Sequence, residues 1–128
     1  MLLKGKTIVP GEIRAYTTIS LSPISFLGDI DPKTGKIVEK NNLLFNQSIA
    51  GKVFIFPYGK GSTVGSYVIY QLHKNGMGPA AIINNQAEAI IAVGAIISDI
   101  PMIHKIDIEK IPKDKEVLVN ATEGYIEF

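Results

Sequence analysis

A short glycine-rich segment constrains the fold more than any other part of this chain. It runs from Tyr58 to Ser66, reads YGKGSTVGS, and follows the apolar stretch Lys52–Phe56. After it, apolar residues recur every four positions from Val64 to Leu72 and stop before Asn75–Gly76. That spacing is typical of an amphipathic helix, predicted from about Val64 to Asn75, with a glycine at its end. A buried strand that turns tightly into a helix predicts a βα unit within an α/β domain.

Apolar patterns along the rest of the chain predict further strands and a second helix. Alternating residues predict a hairpin of Leu2–Val9 and Glu12–Leu21 around Pro10–Gly11. The other predicted elements are, in order, an extended segment at Ile24–Leu27, a short strand at Ile37–Glu39, a strand at Pro79–Ile83, a buried helix at Ala87–Ile97, a strand at Pro101–Ile103, and a final strand pair at Glu116–Asn120 and Gly124–Phe128. We expect Lys52–Phe56 and Pro79–Ile83 to be parallel, joined by a right-handed crossover. Together these elements predict one α/β domain over residues 1–128, with a mixed β-sheet or barrel and two main helices.

Composition narrows the classes of partner and of chemistry. Thirteen basic residues stand against twelve acidic ones, and Arg14 is the only arginine, so the chain has no basic field for nucleic acid. The absence of cysteine excludes a disulfide framework, a thiol nucleophile and cysteine ligation of iron or zinc within this chain. The longest apolar run, Ala87–Ile97, is far shorter than the ~20 residues of a membrane-spanning helix. We therefore expect a cytoplasmic protein without membrane contact.

Ser62 lies between Gly61 and Thr63, where the predicted helix starts. Glycine lets the backbone turn tightly and lets another molecule approach it closely. A serine at a helix N-cap has unpaired N–H groups beside it, which favour negative charge. The known phosphate-binding loops do not match, because Gly65 is followed by Ser66 rather than lysine and is separated from Gly61 by three residues. The local pattern alone leaves open whether Ser62 serves a ligand or only caps the helix.

Other side chains that carry chemistry are predicted to be structural or solvated. Asp29 and Asp31 lie in the loop Gly28–Gly35, whose Asp-Pro pair and closing glycine are typical of a tight turn. They lack the spacing of a calcium-binding EF-hand loop. His73 is expected at the surface near the end of the first helix, and His104 at the end of a strand in a structural or solvated role. We expect no metal site in this chain.

The glycine-rich segment and its surroundings resemble one known family. The matching stretches are, in chain order, Ser25–Gly28, Asp31–Gly35, Gly59–Val68, Asn75–Ile83, Ile90–Ile97 and Ile100–Met102. They cover most of the chain and are similar to the swivel-domain, or small-subunit, half of the aconitase X family. The resemblance implies a swivelling β/β/α domain, of the aconitase swivel type, that closes over a larger subunit.

The resemblance also implies a function. A separate chain of this length looks most like the small subunits of archaeal enzymes that remove water from (R)-5-phosphomevalonate. The product is trans-anhydromevalonate 5-phosphate, in an archaeal mevalonate pathway for isoprenoids. In that family a large subunit carries an iron–sulfur cluster, expected to be 4Fe-4S, that binds the leaving hydroxyl, and the swivel domain carries the serine that takes the proton. Ser62 is the position that matches this serine, and the chain alone is then expected to be inactive and to bind no iron.

Three neighbours of Ser62 complete the predicted site. Lys60 is expected to contact the alkoxide or the substrate phosphate, with a solvated loop lysine as the alternative, and Gly61 and Thr63 are expected to offer backbone donors to the substrate. Two other functions stay open at this point. One is a dehydratase of the same family that acts on another substrate, such as a hydroxyproline; the other is a non-catalytic binding module that keeps the fold.

Overall fold

Eight strands form one mixed sheet in the computed structural model, which describes residues 1–128. The strands are β1 (Leu2–Lys4), β2 (Lys6–Val9), β3 (Glu12–Ile19), β4 (Val53–Phe56), β5 (Ala81–Asn84), β6 (Met102–His104), β7 (Glu116–Asn120) and β8 (Tyr125–Glu127). The helices are α1 (Phe26–Asp29), α2 (Gly65–Lys74) and α3 (Ala89–Ser98), with a 3-10 turn at Ile108–Lys110. Neighbouring strands follow the order β1-β8-β7-β3-β4-β5-β6-β2. The pairs β3–β4, β4–β5 and β5–β6 are parallel and the others antiparallel.

The two ends of this strand order belong to one stretch of chain. β1 and β2 are separated only by Gly5, whose N–H donates to the carbonyl oxygen of Gly124 at 2.8 Å. Glycine is needed at this break because a Cβ there would collide with the carbonyl oxygen of His104. Since β1 pairs with β8 and β2 with β6, the sheet curls back on itself as a barrel.

Side chains of the central strands alternate between two hydrophobic cores. On β4, Val53 and Ile55 face the barrel interior, whereas Phe54 and Phe56 pack beneath the helices. All four are fully buried, and each such burial contributes about 1.5–3 kcal/mol. Phe26 of α1 joins the second core with its ring centroid 6.0 Å from those of Phe54 and Phe56. This aromatic cluster ties α1 to the strand that leads into the glycine-rich segment.

The predicted α/β class, with a mixed sheet that forms a barrel and two main helices, is confirmed. β4 and β5, which flank α2, are parallel as predicted and pair from Val53 opposite Ala81 to Phe56 opposite Asn84. The final strand pair is also present as β7 and β8, which are antiparallel. No helix of the chain is both long enough and apolar enough to cross a membrane.

The predicted N-terminal hairpin is wrong. Pro10–Gly11 forms a corner and not a hairpin turn: the Gly11 carbonyl accepts the N–H of Ala121 at 2.7 Å, and its own N–H donates to Thr122 Oγ1 at 3.1 Å. β2 therefore pairs with β6, and β3 with β7 and β4. Alternating apolar residues identified the strands, but the partners are set by contacts that are remote in sequence.

Three local predictions are corrected as well. The segment Ile24–Leu27 is not extended, because the chain turns into α1 directly after an isolated bridge at Ile24. Ile37–Glu39 is not a strand, although Ile37 forms an isolated bridge with Ile30. Finally, α3 is not buried on all sides, since its residues Val93, Ile96 and Ile97 are about half exposed.

Candidate functional site

The glycine-rich segment leaves the carboxyl end of β4 and is held there by its neighbours. The carbonyl oxygen of Pro57 accepts the N–H groups of Asn85 and Gln86 at 3.1 and 3.2 Å. Asn84, fully buried at the end of β5, donates its side-chain amide to the carbonyl of Phe56 at 2.8 Å. Both contacts come from the neighbouring parallel strand and the turn after it, so the exit of β4 is fixed before the glycines begin. This is the edge of a parallel sheet at which ligands gather.

Two glycines allow the segment to lie against other parts of the chain. A Cβ at Gly59 would collide with Ile91 of α3, and a Cβ at Gly61 would collide with the hydroxyl of Ser25. Gly61 also has φ +94°, a backbone conformation that residues with a side chain rarely adopt. The segment is therefore clamped between α3 on one side and the residues before α1 on the other.

Ser62 does not occupy the N-cap of α2, which corrects the sequence-based prediction. The N-cap is Val64, and α2 begins at Gly65. The Ser62 carbonyl accepts the Gly65 N–H at 3.0 Å, and its Oγ accepts the Val64 N–H at 3.1 Å. Ser62 thus caps the turn that precedes the helix, while the helix itself starts within one residue of the predicted Val64. Its side chain is exposed, so the hydroxyl is open to a second molecule.

Backbone donors remain free on both sides of the Ser62 peptide. The N–H groups of Gly61, Ser62 and Thr63 donate to no other group of this chain. The Thr63 carbonyl, by contrast, accepts the hydroxyl of Ser66 at 3.2 Å. Three consecutive N–H groups on exposed residues are therefore available to hydrogen-bond an oxygen-rich ligand.

Lys60 lines a polar cleft of about 270 Å³ beside the segment. The other lining residues are Ser22, Pro23, Asp29, Glu39, Asn41 and Asn42, none of them hydrophobic apart from the proline ring. The structure therefore brings Lys60 and the loop of Ser62 to one side of the domain. The carboxylates of Asp29 and Glu39 line the same cleft as Lys60. The lysine ammonium is the cleft's one basic group and the place where a negatively charged part of a ligand is favoured.

Asp29 is not the solvated turn residue predicted from the sequence. It is buried, and its Oδ2 accepts the N–H of Ser25 at 2.8 Å, while its own N–H donates to the Ser25 carbonyl at 2.8 Å. The chain turns into α1 here, which the extended reading of Ile24–Leu27 could not anticipate. Asp31 matches its prediction, because its Oδ1 accepts the Lys33 N–H at 2.9 Å within the turn.

Glu88 is a second residue that the sequence did not reveal. Its carboxylate accepts the N–H groups of Ile90 and Ile91 at 3.0 and 3.3 Å and so caps α3. Glutamate is not among the favoured N-cap residues, so nothing in its residue type indicated this position. A Cβ at Gly59 would lie 3.4 Å from Glu88 Oε1, which places the cap next to the glycine-rich segment.

A second cavity of about 240 Å³ adjoins the polar cleft and shares Ser22 and Asn42 with it. Asn42, which lines both cavities, is buried and held in place by two hydrogen bonds. Its side-chain amide donates to Ser20 Oγ at 3.1 Å, and its Oδ1 accepts the Leu44 N–H at 2.8 Å. Leu21 and Leu43, both well exposed, form part of the second cavity's wall. The polar cleft therefore has a partly apolar neighbour on the same side of the domain.

The two histidines lie away from this constellation. His73 is exposed in the last turn of α2. His104 accepts the N–H of Ala87 on its Nδ1 at 3.0 Å, so the neutral ring has its proton on Nε2. Partial burial, followed by the charges of Lys105 and Lys6, lowers the pKa of His104 below 6.5. No three histidine, aspartate or glutamate side chains lie close enough together to hold a metal ion.

Known proteins are similar in sequence to nearly the whole chain. The family model of the aconitase X swivel domain matches residues 2–128. The phosphomevalonate dehydratase small subunit of Methanosarcina acetivorans is 57% identical over 130 residues, which cover 98% of this chain and 89% of that protein. The corresponding small subunit of Thermococcus kodakarensis is 50% identical over 127 residues, which cover 99% and 96% of the two chains.

Solved structures agree with these sequence relatives. The crystal structure of Thermococcus kodakaraensis aconitase X in its holo form superimposes with a TM-score of 0.98 at 50% identity and covers 99% of this chain and 97% of that one. The solution NMR structure of a UPF0107 protein gives a TM-score of 0.91 at 42% identity, with 100% and 98% covered. The expected resemblance is confirmed: this chain belongs to the aconitase X swivel-domain family.

Proposed function

We propose that this chain is the small subunit of a dehydratase that converts (R)-5-phosphomevalonate to trans-anhydromevalonate 5-phosphate. The observation that carries the proposal is the exposed Ser62 hydroxyl, which accepts a backbone N–H at 3.1 Å on a loop with three free backbone donors. The names of the archaeal relatives at about 50% identity or above support the substrate.

Ser62 acts in this proposal as the proton acceptor. Its alkoxide takes a proton from a substrate carbon: the C–H bond breaks, an O–H bond forms on Oγ, and the electron pair left on carbon forms the double bond while the C–O bond breaks and hydroxide leaves. The hydroxide and the proton that Ser62 then gives up make the released water, and the alkoxide is restored. A serine alkoxide is a high-energy group that needs stabilisation. The Val64 N–H supplies a hydrogen bond to the oxygen, and the positive end of α2 begins within the same turn.

Lys60 and the free backbone donors bind the substrate in this proposal. The Lys60 ammonium opens into the polar cleft and attracts an anionic group, the phosphate being the most highly charged one of the substrate. The N–H groups of Gly61 and Thr63 hold substrate oxygens next to Ser62. Asp29 and Glu39, on the same cleft, repel a second negative group and favour one orientation of the ligand.

The iron–sulfur cluster of the family does not fit the residues of this chain. The chain has no cysteine, and no group of three histidine, aspartate or glutamate side chains could replace the thiolates. We assign the cluster to a large subunit, which forms a heterodimer with this chain and faces the exposed Ser62 loop when the swivel domain closes over it. The chain alone is then inactive and binds no iron.

The proposal is tested by co-expressing this chain with its candidate large subunit and assaying the purified complex without oxygen. We expect elimination of water from (R)-5-phosphomevalonate, no turnover of a hydroxyproline, and no turnover by either subunit alone. Turnover of the hydroxyproline alone would assign the chain to another dehydratase of the family. A chain that forms no complex would favour the non-catalytic module.

A further inference from the structure

We propose that Ser25 is the positioning residue for Ser62, acting through a side-chain contact with Gly61. The inference rests on the proposed function of Ser62. Ser25 precedes α1 and is remote from the glycine-rich segment in sequence, and the fold brings the two together.

The residue before Ser25 is bonded to the glycine-rich segment by its backbone. Ile24 donates its N–H to the Tyr58 carbonyl at 3.3 Å and accepts the Lys60 N–H at 2.9 Å, forming a parallel bridge around Gly59. Ile24 itself is fully buried. The bridge sets the register, so that the side chain of the next residue, Ser25, meets Gly61.

The Ser25 side chain lies directly against Gly61. A Cβ added to Gly61 would collide with Ser25 Oγ and lie 3.1 Å from Ser25 Cβ. The serine hydroxyl thus occupies the space that a side chain at position 61 would take. Gly61 has φ +94°, and as a glycine it has more accessible backbone conformations than a residue with a Cβ; the Ser25 side chain blocks some of them.

Ser25 is itself held rigidly enough to act as a stop. Its N–H and carbonyl are both bonded to Asp29, at 2.8 Å each, and its neighbour Phe26 is buried in the aromatic cluster with Phe54 and Phe56. Capping of α1 does not explain the position of the Ser25 hydroxyl. Ser25 is the N-cap residue of α1, yet its hydroxyl makes no capping hydrogen bond.

The contact between Ser25 and Gly61 affects the orientation of the Ser62 hydroxyl. Gly61 immediately precedes Ser62, so a rotation of the Gly61 backbone redirects the Ser62 hydroxyl and the donors beside it. Misplacement of a reacting group by about 1 Å can cost about 100-fold in rate. Ser25 therefore affects mainly the rate of the chemical step, and substrate binding less, because the contact at Lys60 stays in place while the Gly61 and Thr63 donors shift.

The test is a double-variant cycle in the assembled dehydratase, with Ser25→Ala, Gly61→Ala and both together. We expect kcat to fall about 10-fold for Ser25→Ala and about 100-fold for Gly61→Ala, with a much smaller rise in KM, because the Gly61 and Thr63 donors shift while Lys60 stays in place. In the double variant the colliding oxygen is gone, so kcat should exceed the product of the single effects by about 10-fold. Gly76→Ala is the matched control: Gly76 has φ +72° but open space around it, and this variant should keep wild-type turnover.

A second readout does not depend on catalysis. In NMR relaxation of the complete chain, Ser25→Ala should lower the backbone order of residues 61–63 and leave the rest of the chain unchanged. Wild-type turnover and order in Ser25→Ala, or single effects that simply multiply, would overturn the positioning role. Loss of order at residues 61–63 combined with full turnover of Ser62→Ala would support the Ser25 contact and refute the proposed function of Ser62.

Discussion

Gly59 is the position at which the glycine-rich segment depends most directly on α3. A Cβ there would collide with Ile91 Cγ1, lie 2.8 Å from Ile91 Cδ1 and lie 3.4 Å from the Glu88 carboxylate. Gly59 does not have a positive φ, so replacing it by alanine adds one methyl group without backbone strain. Gly59→Ala therefore isolates the effect of crowding at this contact.

The size of the effect follows from packing. Overpacking a well-filled core costs about 1–3 kcal/mol, and the entropy that alanine removes from the unfolded chain offsets about 0.4–1 kcal/mol. We expect Gly59→Ala to lower the free energy of unfolding by about 1–2 kcal/mol. Ile91→Ala, which empties a fully buried site, should cost about 2–5 kcal/mol. Together the two should cost about 1–2 kcal/mol less than the sum, since the added methyl fills the space that isoleucine leaves.

Urea unfolding of the four proteins, followed by circular dichroism, measures these free energies, and a constant slope with denaturant shows that the unfolded state has not changed. Gly28→Ala is the matched control, because Gly28 lies in α1 with nothing near its missing Cβ, and it should be neutral or slightly stabilising. Additive effects of Gly59→Ala and Ile91→Ala would refute the contact.

Three further outcomes are expected. The pKa of His104 lies below its unfolded value of 6.5 mainly because of burial, so the unfolded chain binds a proton first on acidification. The free energy of unfolding should therefore be full above pH 6.5 and decrease below it. Urea unfolding at pH 7.5 and pH 5 measures this decrease, which His104→Gln should reduce. Lys60→Gln should raise KM for the phosphorylated substrate by about 10-fold or more with a smaller change in kcat, and equal KM values would exclude contact with the phosphate. Gly94→Ala should lower the unfolding free energy despite its better helix propensity, because its Cβ would lie 3.2 Å from Ser66 Cα where α2 and α3 cross, and a gain in stability would contradict that crossing.

Much of the central fold was predictable because the apolar pattern of each central element matches the way that element is buried in the structure. β4 is apolar at every position since both faces of a parallel strand are buried, and its length and the spacing in α2 identify a βα unit. The partners of β1, β2 and β3 were not predictable, because alternation indicates which face is buried but not which strand lies alongside. The barrel closes through Gly5, a residue that gave no sign of its role in the sequence.

Some residues of the candidate site could likewise be predicted from the sequence and others could not. Gly61 and Ser62 were identifiable from their types and from the junction in which they lie. Ser25, Asp29 and Glu88 were not: Ser25 meets Gly61, which is remote in sequence, Asp29 is buried by the turn into α1 that the pattern did not show, and Glu88 caps a helix, a role unusual for glutamate. The N-cap of α2 was misplaced for a related reason, although its start near Val64 was not: a capped turn and a helix N-terminus have the same serine signature, and the N-cap is Val64 rather than Ser62.

The role of Ser62 as proton acceptor is tested most directly by the turnover of Ser62→Ala in the assembled complex. Ser48→Ala is the matched control, since Ser48 hydrogen-bonds within the loop of Thr34, near the opposite end of α2. With both variants folded and bound to the large subunit, we predict that kcat falls by about 100- to 10,000-fold for Ser62→Ala and stays at the wild-type value for Ser48→Ala. Wild-type turnover in Ser62→Ala would show that this hydroxyl does not take the proton.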